Sequence, residues 1–105
     1  MSVDLQEQTR KLLEEPLLGE QDLDAKIRRL LEAEYMRRLV QYRRVDRNLR
    51  QKYGMTFEDF TANRVVRQEG YTWEAETDAM DWETAVDGVE TMRRKLQELQ
   101  HGQQD

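Results

Sequence analysis

Residues 19–54 read GEQDLDAKIRRLLEAEYMRRLVQYRRVDRNLRQKYG and carry the longest apolar stripe of the chain. Apolar side chains recur along it in steps of three or four residues, at Leu23, Ile27, Leu31, Tyr35, Leu39, Tyr42, Val45, Leu49 and Tyr53. This spacing places them on one face of an α-helix. Gly19 can cap the start of that helix and Gly54 its end. The segment 19–54 therefore predicts one long helix over about residues 20–53.

A second long helix is predicted in the segment 71–100. Its apolar residues Trp82, Ala85, Val89, Met92, Leu96 and Leu99 step by three and four, as along the seam of a coiled coil. The pattern leaves the start of this helix open between Thr72 and the pair Thr77 and Asp78. The acidic residues from Glu74 onward favour the earlier start, because acidic side chains stabilise a helix N-terminus.

Shorter elements complete a single predicted domain. Residues 1–18 predict a short N-terminal helix and turn, and residues 101–105 a polar tail. Residues 55–70 predict a bridging helix, which Thr56 caps and Gly70 ends. We expect an all-α fold, in which the two long helices form an antiparallel hairpin with short bridging helices and oligomerisation completes the helical bundle.

The composition excludes several classes of protein. The chain has 105 residues, with 17 Lys and Arg against 22 Asp and Glu, which gives a formal net charge of −5. It has no cysteine and one histidine, so a disulfide scaffold, a cysteine zinc site and a thiol nucleophile are excluded. No stretch approaches the roughly 18 apolar residues of a membrane helix. We expect a cytoplasmic protein without a cofactor.

Opposite charges are segregated along the chain. Residues 36–53 hold seven basic side chains against Asp46 alone, and residues 69–90 hold eight acidic side chains and no basic one. We expect the two segments to lie across each other, within one chain or between two, and to set the orientation of the helices. The residues predicted for this charge pairing are Arg37, Arg43, Arg44, Arg47, Asp78, Asp81 and Asp87.

The lengths of the helices predict association with another chain. The first long helix would span roughly 50 Å, whereas a compact fold of this size is only about 30 Å across. We expect a second copy, with a dimer favoured, or a basic protein partner to cover the remaining apolar surface. A closed monomeric bundle is the alternative. The residues predicted for the contact surface are Trp73, Met80, Trp82, Val89, Met92, Tyr35, Leu39 and Tyr42.

Two other functions compete with protein interaction. Asp78-x-x-Asp81 and Asp87-x-x-Glu90 are similar to the carboxylate pairs that bind Mg²⁺ in all-helical nucleotide pyrophosphohydrolases of the MazG type. However, residues nine apart on one helix point to opposite sides. The arginines of residues 36–53 could contact nucleic-acid phosphates, but they are spread around the helix and the whole chain is acidic. We expect no catalytic residue and no metal site, and we favour protein interaction over nucleic-acid binding, which stays the alternative for the arginines.

Three segments carry a resemblance to a known group of proteins. They are residues 47–60, RNLRQKYGMTFEDF, residues 70–74, GYTWE, and residues 78–83, DAMDWE. The chain resembles, over about residues 25–100, small uncharacterised prokaryotic helical proteins that are similar to antitoxin partners of TumE-like toxins. The resemblance implies a non-enzymatic protein that neutralises a small toxin, and it implies no catalytic residues.

Overall fold

The computed structural model describes residues 5–15 and 22–103. Over these residues the chain forms five α-helices and no strand, which confirms the predicted all-α class. The helices are α1 (Glu7–Glu14), α2 (Leu23–Tyr53), α3 (Phe57–Ala62), α4 (Val65–Gln68) and α5 (Trp73–Gln103). The chain divides into two compact units, Met1–Glu34 and Tyr35–Asp105.

In the first unit a buried lysine joins α1 to α2. The side chain of Lys26 is only 2% exposed, and its Nζ donates a 2.7 Å hydrogen bond to the backbone oxygen of Leu13. A buried ammonium group is tolerated when it is hydrogen-bonded. The apolar residues Leu23, Ile27 and Leu31 of the predicted stripe remain exposed in this unit.

Capping side chains explain where the two long helices begin. The expected cap Gly19 lies outside the described residues, and α2 begins at Leu23, where Asp22 Oδ2 accepts a 3.3 Å hydrogen bond from the backbone N–H of Ala25. Thr72 Oγ1 accepts the corresponding 3.2 Å hydrogen bond from Ala75, so α5 has the earlier of its two predicted starts. Each bond satisfies one of the N–H groups that a helix start leaves without a partner.

The predicted tail needs a correction at its first three residues. Residues 101–103 continue α5, which the sequence pattern ends at residue 100. Gly102 does not stop the helix, because a single glycine in a helix costs only about 1 kcal/mol relative to alanine.

The prediction of one bridging helix over 55–70 is wrong. Its start is confirmed, since Thr56 Oγ1 accepts a hydrogen bond from the backbone N–H of Asp59. The segment is nevertheless split into α3 and α4 by Arg64, whose φ of 52° is left-handed. A left-handed residue cannot continue a right-handed helix, so the chain turns there and α4 takes a new direction.

In the second unit α2 and α5 pack against each other in antiparallel orientation, as predicted. The contacts pair Tyr35 with Lys95, Tyr42 with Gly88, Asp46 with Trp82 and Lys52 with Asp78. Later residues of α2 contact earlier residues of α5, so the two helices run in opposite directions.

The core of the second unit lies where α3 and α4 cover one end of this hairpin. Its buried residues come from four helices and are Leu49, Phe60, Val65 and Trp82. The ring of Trp82 lies 5.0 Å from that of Phe60 and 6.0 Å from that of Tyr53. Aromatic pairs at these separations add to the free energy gained from burial. This cluster holds the short helices beside the first turns of α5.

Candidate interaction surface

A groove of about 620 Å³ opens between α3 and α4 on one side and α5 on the other. Its apolar lining includes Phe57, Val66, Ala79 and Met80. Its charged lining consists of Arg64, Arg67 and Glu83. A concave apolar surface with a few charged groups at its edge is typical of a binding site.

Two residues with left-handed backbone border this groove. They are Arg64, with a φ of 52°, and Tyr71, with a φ of 58°, and they are the non-glycine residues with positive φ in the described part of the chain. The conformation costs a residue with a side chain roughly 1–2 kcal/mol. The backbone N–H of Tyr71 donates a 2.9 Å hydrogen bond to the oxygen of Val66, which holds this turn against the end of α4.

We call three exposed side chains, Tyr71, Trp73 and Met80, the apolar patch; Tyr71 and Met80 line the groove, and Trp73 precedes Met80 on α5. The exposed fractions are 60% for Tyr71, 81% for Trp73 and 68% for Met80. Trp73 and Met80 are seven residues apart on α5, so they lie on the same face of the helix. Large apolar side chains exposed together mark a site of interaction on a protein surface.

The residues predicted for the contact surface divide into three groups. Trp73 and Met80 are exposed, as a contact surface requires, and Tyr35, Tyr42 and Val89 are half-buried. The prediction is corrected for Trp82, Met92 and Leu39, which are buried inside the single chain. The cause is that the predicted seam of α5 packs against the apolar stripe of α2 in the same chain. Trp82 and Met92 of α5 and Leu39 of α2 are therefore buried within one chain.

An ion-paired cluster connects the C-terminal end of α2 to the first turns of α5. Lys52 Nζ lies 2.6 Å from both Glu74 Oε1 and Asp78 Oδ2. The hydroxyl of Tyr53 donates a 2.6 Å hydrogen bond to the same Asp78 oxygen. Asp78 therefore pairs across the two helices, but its partner is a lysine rather than one of the predicted arginines.

These contacts shift the pKa values of Asp78, Lys52 and Tyr53. Burial opposes ionisation of Asp78, but the hydrogen bonds from Lys52 and Tyr53 outweigh it and keep the pKa of Asp78 below its ordinary value. The hydrogen bonds to Asp78 and Glu74 raise the pKa of Lys52 above its ordinary value. Burial, with the hydrogen bond to Asp78, raises the pKa of Tyr53 to about 12.

The other residues predicted for charge pairing lie on the surface. Arg37 is exposed, and so are Arg43, Arg44, Arg47, Asp81 and Asp87. Within residues 5–15 and 22–103, the ion pairs do not include five of them: Arg43, Arg44, Arg47, Asp81 and Asp87. These three arginines of α2 and two aspartates of α5 are thus available to another molecule.

The described residues contain no group of three or more histidine, cysteine, aspartate or glutamate side chains that could hold a metal ion. In the same part of the chain, no helix has both the length and the apolar character needed to cross a membrane. Comparisons with protein-family models, with curated proteins and with solved structures found no match for this chain. The resemblance to antitoxin partners therefore stays a prediction.

The sequence pattern did not single out several residues of the groove. Arg64 and Arg67 look like ordinary polar residues within one bridging helix, and Glu83 is one acidic residue among many. Gly70 before the aromatic Tyr71 was the available signal for a turn here, since a glycine at a helix end often has left-handed backbone. The left-handed Arg64 left no such signal in the sequence.

Proposed function

We propose that this protein is a non-enzymatic protein-interaction module, which buries its apolar patch against another polypeptide and is a homodimer in the absence of other partners. The observation that supports this most directly is the exposure of Trp73, Met80 and Tyr71, all large apolar side chains. Full burial of a large apolar side chain is worth roughly 1.5–3 kcal/mol. Aromatic side chains with few rotatable bonds are frequent anchors of protein interfaces.

The finer part of the proposal is an antitoxin-like role in the cytoplasm, with a small basic toxin as the partner. Its first support is the resemblance of residues 47–60, 70–74 and 78–83. Its second support is the acidic surface of α5, where Glu76, Asp81, Glu83, Asp87 and Glu90 are all exposed. Complementary charge of this kind steers association with a basic protein and determines its orientation.

Self-association is tested by sedimentation of the full chain over a wide concentration range. We expect reversible dimers, and we expect Trp73→Ala to weaken dimerisation about tenfold, which corresponds to about 1.4 kcal/mol. Gln97→Ala is the matched control, because Gln97 is an exposed residue of the same helix roughly 25 Å from Met80. A wild-type chain that stays monomeric at the highest concentration would contradict the proposed homodimer.

The two tryptophans provide an independent measurement in solution. Trp82 is completely buried and Trp73 is 81% exposed, so acrylamide should quench mainly the fluorescence of Trp73. We expect this quenching to decrease as the protein concentration rises through the dimerisation range. Quenching that does not change while dimers form would show that Trp73 lies outside the contact.

The antitoxin-like role predicts that a small toxin is encoded beside this chain, and it is tested by expressing the protein of the neighbouring gene. We expect that protein to arrest growth when it is expressed alone, and co-expression of the wild-type chain to restore growth. Co-expression of Met80→Glu should restore growth less well, with Gln97→Ala as the control. A neighbouring protein without effect on growth would remove the antitoxin-like role and leave the interaction module standing.

A further inference from the structure

We infer that the groove between α3–α4 and α5 receives α5 of a second copy of this chain, with Met80 of each copy entering the groove of the other. The inference rests on the proposed function and gives the proposed homodimer a specific contact. A two-fold symmetric contact requires that one chain carry both a surface and its complement. This chain carries the groove and, on its rim, the exposed side chain of Met80.

Complementary charge favours α5 of a second copy as the helix that enters the groove. Arg64 and Arg67 line the wall formed by α3 and α4. On α5, Glu76 and Glu83 precede and follow Met80 by four and three residues, so they flank it on the same face of the helix. When α5 of the second copy enters the groove with its Met80, these two glutamates approach the two arginines.

The four charged residues are available for this contact. Arg64, Arg67, Glu76 and Glu83 are exposed, and the ion pairs found within the described residues involve none of them. Each would gain a partner of opposite charge in the dimer without breaking an ion pair inside the chain. Such complementary pairs suppress wrong orientations and set the register of a contact.

The two arginines favour this contact over a direct contact between two α5 helices. Two α5 helices that met without α4 would bring the acidic residues of both copies together, and like charges oppose association. In the groove, α4 of each copy contacts α5 of both copies, so Arg64 and Arg67 lie beside the acidic residues. The left-handed backbone at Arg64 gives α4 the direction that forms this wall, and strained backbone of this kind is concentrated at functional sites.

Two single charge reversals test the contact. Arg67→Glu places a carboxylate of one copy against Glu83 of the other, and Glu83→Arg places two guanidinium groups against each other there. We expect each variant alone to dimerise at least about tenfold more weakly than wild type. Mixed in equal amounts, the two variants should form a heterodimer within about threefold of the wild-type affinity, because both cross-copy pairs then join opposite charges.

Sedimentation and native mass spectrometry measure the two single variants and their mixture. Arg44→Glu is the control, because Arg44 is an exposed arginine of α2 outside the groove. Its dimerisation should stay near the wild-type value.

The outcomes separate this inference from the proposed function. If the wild type forms dimers that neither reversal weakens, the groove is not the contact, and the interaction module stands. If both reversals weaken the dimer but the mixture does not recover, Arg67 and Glu83 do not meet across copies, and the inference is overturned. If the wild type never dimerises, the proposed homodimer fails together with the inference.

Discussion

The carboxylate of Asp46 accepts a 2.8 Å hydrogen bond from the indole Nε1 of Trp82. Trp82 is completely buried, and an indole N–H buried without an acceptor would be strongly unfavourable. Asp46 is also the one acidic residue of the basic segment 36–53. The interruption of that segment therefore has a structural reason: Asp46 supplies the acceptor that fixes the register of α2 against α5.

Substitution of Asp46 should separate hydrogen bonding from charge. We expect Asp46→Ala to lower the free energy of unfolding by about 1–3 kcal/mol, because the indole N–H of Trp82 loses its acceptor. Asp46→Asn keeps an acceptor oxygen and should lose less than half as much. Urea unfolding measures both values. Equal losses in the two variants would show that the negative charge, and not the hydrogen bond, stabilises this contact.

Gly88 is required by the ring of Tyr42. A Cβ atom at position 88 would lie 2.5 Å from Cδ2 and Cε2 of that ring and 2.7 Å from its Cγ, so the whole ring would have to move. We expect Gly88→Ala to destabilise the chain by about 1–3 kcal/mol, although alanine favours a helix by about 1 kcal/mol over glycine. Thermal or urea unfolding measures the change.

The control for this effect is the same substitution in the background Tyr42→Ala. Without the ring, Gly88→Ala should stabilise the chain, because only the preference of the helix for alanine remains. A Gly88→Ala chain more stable than wild type with Tyr42 present would contradict the steric explanation.

The raised pKa of Tyr53 predicts a loss of stability in alkali. In the unfolded chain Tyr53 should ionise near its ordinary value of 10.0, whereas in the folded chain the pKa is about 12. Its contribution is thus fully present below pH 10 and is lost as the pH rises toward about 12. The absorbance titration at 295 nm of wild type minus that of Tyr53→Phe should give a midpoint near 12. A midpoint near 10 would show that the hydroxyl is neither buried nor held by Asp78.

The lowered pKa of Asp78 predicts a loss of folding stability in acid. A carboxyl group with a depressed pKa in the folded state stabilises the fold above its unfolded pKa and loses that effect as the pH falls through the folded value. Asp78→Asn should therefore be less stable than wild type at pH 7, and the difference should shrink below about pH 4. Asp81→Asn, at an exposed neighbouring position, should show little difference at either pH.

Substitution of Tyr71 should change folding stability and dimerisation in opposite directions. Tyr71→Gly should raise the free energy of unfolding by about 1 kcal/mol, because glycine adopts the left-handed conformation without the steric penalty. The same substitution should weaken dimerisation, since it removes an exposed aromatic side chain beside the groove. Urea unfolding and sedimentation of one preparation measure both effects. A variant that is more stable and dimerises as well as wild type would exclude Tyr71 from the contact.

Local patterns were sufficient to predict much of the fold. The apolar spacing from Tyr35 to Tyr53 predicted the second half of α2, and the acidic residues after Thr72 favoured the observed start of α5. These features depend on periodicity and capping within a few turns of one helix. The break at Arg64 was not predictable in this way, because it depends on how α3 and α4 together cover Trp82.

The residues predicted for the contact surface also divide into those that the sequence placed correctly and those that it did not. Trp73 and Met80 were predicted for a contact surface and are exposed, whereas Trp82 was predicted with them and is buried. All three are large apolar residues on one helix, and their types do not show which of them another helix of the chain covers. That depends on the angle at which each side chain leaves α5 and on the position of α2, α3 and α4 around it.

Residue type and spacing were enough to predict that the chain is helical, that α3 begins after Thr56, and that the two long helices carry opposite charge, because periodicity, capping and charge are properties of residues close together in the sequence. The hydrogen bond between Asp46 and Trp82, the position of Gly88 against the ring of Tyr42 and the groove beside Met80 became visible only in the folded chain. Those features require residues distant in sequence to approach within a few ångströms, and that approach depends on the packing of whole helices.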